Sequence, residues 1–208
     1  CAGGISGLAR AAEMANSLPS SYVVVVSVEL CSITFQQNDF SKSNLVGTSI
    51  FADGAAAAVL GLNGAGPEII GSYSTLFPDT EDIMGWDVVE TGLKVRFSRD
   101  IPSIIRRHLP KLLDEACSCW GLTQAEINHY IVHPGGAKVL TAYNESLGLI
   151  NGELAEAEDI LKHYGNMSSA SVFFVLEQFL ANTSANNSYG VMLALGPGFS
   201  AEQVLFRW

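Results

Sequence analysis

Residues 22–28 read Tyr-Val-Val-Val-Val-Ser-Val, a nearly unbroken β-branched run with no polar alternation to separate an inner from an outer face. Such side chains favour extended backbone, and a run this continuous predicts a strand covered on both faces, the signature of a layered α/β sheet. Gly54 to Leu62 predicts a second buried strand, and Tyr130 to Val132, Tyr189 to Leu195 and Val204 to Phe206 predict further short ones. Helical segments lie between them. A small-residue apolar helix is expected from the start of the chain to about Leu18. Another spans Ile101 to Trp120, with Ile101, Ile104, Ile105, Leu109, Leu112, Leu113, Ala116 and Cys117 on one face. Asp100 and Pro102 mark its start, Gly121 its end, and Pro110 is expected to bend it. Thr123 and Glu126 have capping-box spacing. A helix ends near Tyr164 and Gly165, and Ser168 is expected to cap an apolar helix running to Leu180. This alternation places the chain in the α/β class.

Composition removes several function classes. A formal charge of −10 and a pI near 4.7 argue against nucleic-acid binding and against attraction to anionic membranes. No apolar run reaches the length of a membrane span, about 18 residues. Four cysteines give no disulfide framework, and Cys117 and Cys119 lack the second pair that a four-ligand zinc site needs, so no metal is expected. A reducing, cytoplasmic location fits this cysteine usage.

Three residues carry chemistry. Cys1, in Cys-Ala-Gly-Gly, heads a helix whose N-terminal amides lend about half a positive charge, which favours a thiolate. Gly3 and Gly4 leave room beside the sulfur for a bulky acyl group. His133, in His-Pro-Gly-Gly, follows a buried strand at its C-terminal end, where open α/β sheets bind ligands. Asn166, in Tyr-Gly-Asn-Met-Ser-Ser, sits on the turn before the apolar helix. Alone, a histidine at a strand end is more often structural and an asparagine after glycine is more often a turn former. Together they form a set.

The order of motifs is more specific. Cys-Ala-Gly-Gly, Phe-Ala-Asp-Gly-Ala-Ala-Ala (Phe51 to Ala57), His-Pro-Gly-Gly (His133 to Gly136), Tyr-Gly-Asn-Met-Ser-Ser-Ala (Tyr164 to Ala170) and Gly-Pro-Gly (Gly196 to Gly198) follow one another as in the type III polyketide synthases. Over its whole length the chain resembles that family, the chalcone synthases. The resemblance implies an α/β, thiolase-like αβαβα layered fold and a homodimer. An incomplete first half, residues 1–66, would begin at the nucleophile, and residues 67–208 would form a complete second half carrying the histidine and the asparagine. The chain opens at Cys1 without a Met. If the resemblance holds, strands before the nucleophile lie outside it, and this fragment alone is expected to be inactive.

What the resemblance implies for the site is an acyltransferase without a cofactor, taking acyl-CoA and malonyl-CoA as substrates. Cys1 holds the acyl group, with an imidazolium at His133 pairing its thiolate, and His133 and Asn166 stabilise the enolate left by malonyl decarboxylation. Phe51 falls at the position of an aromatic gatekeeper, and Val95 at a second gatekeeper position that carries Phe in plant members. Cys31, Ile33, Thr34 and Ser168 fall at cavity-lining positions, and Trp86 stands where plant members have Gly. Ile33, Thr34 and Ser168 also read as core or capping residues, and Trp86 as packed core. Gly196, Pro197 and Gly198 resemble the cyclisation loop, with Leu195 in place of an aromatic residue. Lys138 is the candidate for CoA phosphate, while Arg96, Arg99, Arg106 and Arg107 read as a solvated face. With Trp86 and Val95 in place, the stretch from Met84 to Gly92 resembles bacterial alkylpyrone and alkylresorcinol synthases more than chalcone synthases, and points to a fatty acyl starter. Two alternatives remain. A ketoacyl-acyl carrier protein synthase III also uses Cys, His and Asn, although its histidine motif usually continues Gln-Ala-Asn. A non-catalytic dimerisation fragment is the other.

Overall fold

A computed structural model describes residues 1–149, 152–182 and 186–208. Two sheets and a hairpin are separated by helices. Strands β1 (Val23–Leu30) and β2 (Asp53–Leu60) pair antiparallel, Val26 opposite Ala57. A four-stranded mixed sheet has the order β3 (Glu68–Leu76), β8 (Ser200–Arg207), β7 (Tyr189–Gly196) and β6 (Ile127–Val132), with β6 and β7 parallel and the other pairs antiparallel. Strands β4 (Met84–Val89) and β5 (Gly92–Phe97) form the hairpin.

Helix α1 (Gly3–Ser17) lies between the two sheets. Its buried stripe of Gly4, Ile5, Leu8, Ala11 and Ala15 follows the helical period, and its small residues let β1 approach closely. Helix α6 (Ser171–Asn182) shares this middle layer, touching β2 on one side and β6 on the other. Helices α3 (Ile101–Cys119) and α4 (Ala137–Leu147) pack on each other, with α3 also against β3. The core therefore runs through successive β, α and β layers. Helix α5 (Ala155–Tyr164) joins α4 to α6, and α2 (Lys42–Ile50) stands against β5.

Several expectations change here. Neither β1 nor β2 is covered on both faces: Val24, Val26 and Val28 are 56%, 65% and 60% exposed, and β2 alternates along its length. Within this chain, α1 covers one face, bringing Val25 against Gly7, and nothing described here covers the other. Helix α3 continues through Pro110. The capping box of Thr123 and Glu126 is present, but it caps a single 3-10 turn. Ser168 caps no helix. It takes a left-handed φ of 49°, and the Ser171 hydroxyl instead accepts from the Met167 N–H, at 2.7 Å. No helix among the described residues is long and apolar enough to cross a membrane.

Candidate active site

The three predicted residues meet because three chain segments are stitched to one another. His133 extends β6 by one residue, its N–H donating to the Leu193 carbonyl of β7 at 2.8 Å. Asn166 forms an isolated parallel bridge with Phe51: its N–H donates to the Ile50 carbonyl at 2.7 Å, and its carbonyl accepts from Ala52 N–H at 3.0 Å. The Asn166 side chain is fixed at both ends. Its Nδ2 donates to the Gly135 carbonyl, inside the His-Pro-Gly-Gly turn, at 3.2 Å, and its Oδ1 accepts from the Ser168 N–H at 2.9 Å. Gly165 makes the close approach possible, since φ is +75° and a Cβ would lie 2.8 Å from the Ile50 carbonyl oxygen.

Cys1 immediately precedes α1, which docks on the same turn. A Cβ on Gly4 would lie 2.4 Å from the Ser169 carbonyl oxygen, so a larger residue would push the nucleophile away from Asn166. Gly4 therefore serves helix docking, not room for substrate; Gly3 makes only ordinary contact. The Ser168–Ala170 turn is held from the other sheet as well. Glu29 on β1 accepts from the Ser169 N–H at 3.1 Å and from its hydroxyl, and Ser27 and Ser169 share a hydrogen bond of 2.7 Å. Glu29 was not singled out in the sequence, where it is one charge in an apolar strand. Ser168 sits at this junction, its hydroxyl accepting from the Cys1 backbone nitrogen at 3.1 Å.

Cys1, His133 and Asn166 line one cavity of about 610 Å³, walled by Val46, Phe51, Met84, Phe97, Tyr143, Leu195 and Phe199, among others. His133 and Asn166 are almost fully buried, and neither His133 ring nitrogen has a hydrogen-bond partner among the described residues. Burial pushes the His133 pKa down to about 3. Against the expected standing imidazolium, this direction favours a neutral ring that can accept a proton from the thiol.

A second cavity, about 310 Å³, lies across Phe51, which lines both; Cys31, Thr34, Gly47 and Val95 form much of its wall. The other pocket candidates sit differently. Ile33 points outward at 76% exposure and lines neither cavity. Trp86 stands opposite Val95 on the hairpin, over one-third exposed, and lines neither. As register partners the two share one face of the hairpin, but only Val95 is buried against a cavity, while Trp86 stays over one-third exposed. Gly196, Pro197 and Gly198 also lie off both cavity walls, although their neighbours Leu195 and Phe199 line the larger one. Lys138 lines the larger cavity, and so does Arg99, contrary to its reading as part of a solvated face. Lys42, Met84 and Tyr143 were not singled out in the sequence, because nothing local marks a residue that reaches the site through tertiary packing.

Known proteins with this arrangement are similar along the whole chain. A chalcone synthase-like protein of Bacillus subtilis (strain 168) is 45% identical over 218 residues, covering 100% of this chain and 60% of the relative. The 1,3,6,8-tetrahydroxynaphthalene synthase of Streptomyces peucetius subsp. caesius is 41% identical, covering 100% of this chain and 57% of the relative. The crystal structure of 1,3,6,8-tetrahydroxynaphthalene synthase from Streptomyces coelicolor A3(2), a bacterial type III polyketide synthase, superposes with a TM-score of 0.94 at 30% identity, covering all of this chain and 60% of that one. The type III polyketide synthase domain of Steely1 from Dictyostelium gives 0.91 at 31% identity, covering all of this chain and 59% of that one. The chain thus spans about 60% of the length of these relatives, and its mixed α/β fold is thiolase-like. Residues 1–67 match the N-terminal domain of the chalcone and stilbene synthases and residues 68–208 match their C-terminal domain, and the chain belongs to that family.

Proposed function

We propose that this protein is an acyltransferase that condenses malonyl-CoA, with loss of CO2, onto an acyl group carried by Cys1. The observation that carries the reading is the convergence of Cys1, His133 and Asn166 on one cavity, with the Asn166 amide tied to the histidine turn. Neutral His133 accepts the Cys1 proton as the sulfur attacks the acyl-CoA thioester, and returns it to the departing CoA thiolate. Decarboxylation of malonyl-CoA then leaves an enolate, whose oxygen takes hydrogen bonds from the His133 ring N–H and the Asn166 amide. Its carbon attacks the Cys1 thioester, the Cys1–acyl bond breaks with its electron pair on sulfur, and the lengthened acyl-CoA leaves Cys1 as a thiolate that takes a proton from water before another round. Neither donor is an acid, so the enolate is not quenched before it reacts.

The cavity across Phe51, with Cys31, Thr34 and Val95 in its wall, is the place we assign to the growing chain and its cyclisation to a pyrone or resorcinol-type ring. Residues 1–66 and 67–208 are read as the two thiolase halves, the first incomplete. A homodimer in the cytoplasm completes the reading, supported by the family and by four free cysteines. Mass spectrometry of the products that the full-length protein makes from malonyl-CoA and acyl-CoA starters of several lengths tests the proposal. Decarboxylated, extended products support it; starter hydrolysis alone contradicts it.

A further inference from the structure

Two side chains in the wall of the Cys1 cavity have buried polar atoms without a hydrogen-bond partner among the described residues: His133 and Tyr143. The reaction proposed above uses the first and gives the second nothing to do. Tyr143 is fully buried on α4, and burial pushes its phenol pKa above the ordinary tyrosine range, so the hydroxyl stays a donor near neutral pH. A buried hydroxyl without a partner is costly, and a purely structural position would be filled as well by Phe. Thr75, Trp120 and Gln203 also carry unpaired buried atoms, but none of them lines either cavity.

The placement of Tyr143 follows from α4, which starts at Ala137, directly after the His133-Pro134-Gly135-Gly136 turn. From Ala137 to Tyr143 the helix rises roughly 9 Å, at about 1.5 Å per residue. Helical side chains lean toward the N-terminus, and for α4 that end is the catalytic turn. Met84, Phe97, Ile101, Leu195 and Phe199, in the same wall, offer no side-chain donor. Tyr143 therefore adds a neutral donor to a largely apolar enclosure.

Each condensation described above ends with a β-ketoacyl-CoA, whose third carbon carries a keto oxygen that a saturated acyl starter lacks. Among apolar walls that oxygen loses its water and needs a donor. Resting on the acyltransfer reading above, we infer that the Tyr143 hydroxyl donates to the β-keto oxygen of each newly extended acyl-CoA and so retains it until it reloads Cys1. A saturated acyl-CoA of the same length has no acceptor there and is not retained. Tyr143 is a binding residue with no part in the bond changes, and its effect falls on how often an intermediate escapes between rounds.

Acetoacetyl-CoA and butyryl-CoA have the same chain length and differ only at the third carbon, so they are the probes. In the full-length protein carrying Cys1→Ala, which holds no acyl group at that position, calorimetric titration should show acetoacetyl-CoA binding about five- to thirtyfold tighter than butyryl-CoA, the range of a hydrogen bond in a buried site. Adding Tyr143→Phe should bring the two within about twofold by weakening acetoacetyl-CoA alone. With Cys1 intact, Tyr143→Phe should raise the share of singly extended product several-fold at the expense of longer ones. Its melting temperature, followed by circular dichroism, should hold or rise, because no protein partner is lost. A preference for acetoacetyl-CoA that survives Tyr143→Phe overturns the inference, as do no preference before the substitution, equal weakening of both probes, an unchanged product distribution or a lower melting temperature. A larger loss for malonyl-CoA than for acetoacetyl-CoA also overturns it, by putting the hydroxyl on a carboxylate instead. Acylation of Cys1 by butyryl-CoA in the Tyr143→Phe protein reports separately on the acyltransfer reading, so the two can fail independently.

Discussion

His133 shows how burial sets a residue's role. Its pKa, pushed down to about 3, lies below the value near 6.5 expected in the unfolded chain. The unfolded chain therefore binds a proton between pH 6.5 and 3 that the native ring refuses, so this group lowers stability as pH falls through that window and has no effect above it. His133→Asn should flatten the acid limb of melting temperature against pH, by at most about 1.4 kcal/mol per pH unit. An unaltered acid limb would mean the ring is not held neutral by burial. Asn166→Ala should spare acylation of Cys1 but slow malonyl-CoA decarboxylation by about a hundred- to thousandfold, since it removes one enolate donor. Stopped-flow release of CO2 measures this, and rapid decarboxylation by the variant would sink the division of labour. Among the other thiols, burial pushes Cys117 up to about 11, so its alkylation by iodoacetamide at neutral pH should lag far behind that of Cys1.

At the scale of elements, the site depends on how closely turns and helices dock. Gly4→Ala places a carbon against the Ser169 carbonyl, and backbone must shift to admit it. A loss of about 1–3 kcal/mol is expected, as for overpacked cores, with slower acylation of Cys1 because α1 carries the nucleophile. Unchanged melting and acylation would show that the helix does not set the sulfur's position. On the hairpin, the pair Val95 and Trp86 gives opposite expectations from adjacent strands. Val95→Phe fills part of the second cavity and should shorten or reroute products, whereas Trp86→Gly should leave the product profile unchanged. The sequence ordered these residues only through family positions, and it could not tell that, of two register partners on one face, only Val95 reaches a cavity wall. Strand β3 escaped pattern reading because its inward residues include Gly71 and Thr75, which give no apolar period. Helix α2 escaped because Thr48, Val46 and Gly47 are poor helix formers; Ser41 at its cap and the Asn44 amide bonded to the Gln36 and Asp39 carbonyls hold it. Cys1, His133 and Asn166 were legible because turn chemistry places them, and turns carry their signals locally.

Across the whole molecule, two sheets and the helices between them bring residues 1, 133 and 166 to one cavity, through the β6–β7 pairing, the Phe51 bridge and the docking of α1 on the Ser169 turn. The layered α/β class followed from alternation in the sequence. The open face of β1 did not, because a valine run is equally apolar on both sides whatever covers it. The central claim is that this arrangement makes Cys1 an acyl carrier whose load is passed to a malonyl-derived carbon. Peptide mass spectrometry of the full-length protein after incubation with an acyl-CoA, then with malonyl-CoA, measures it directly. The account predicts one acyl mass on the Cys1 peptide that disappears when malonyl-CoA is added, as an extended acyl-CoA or its cyclised product appears. Acyl mass on another cysteine, or a Cys1 acyl group that malonyl-CoA leaves in place, would contradict it.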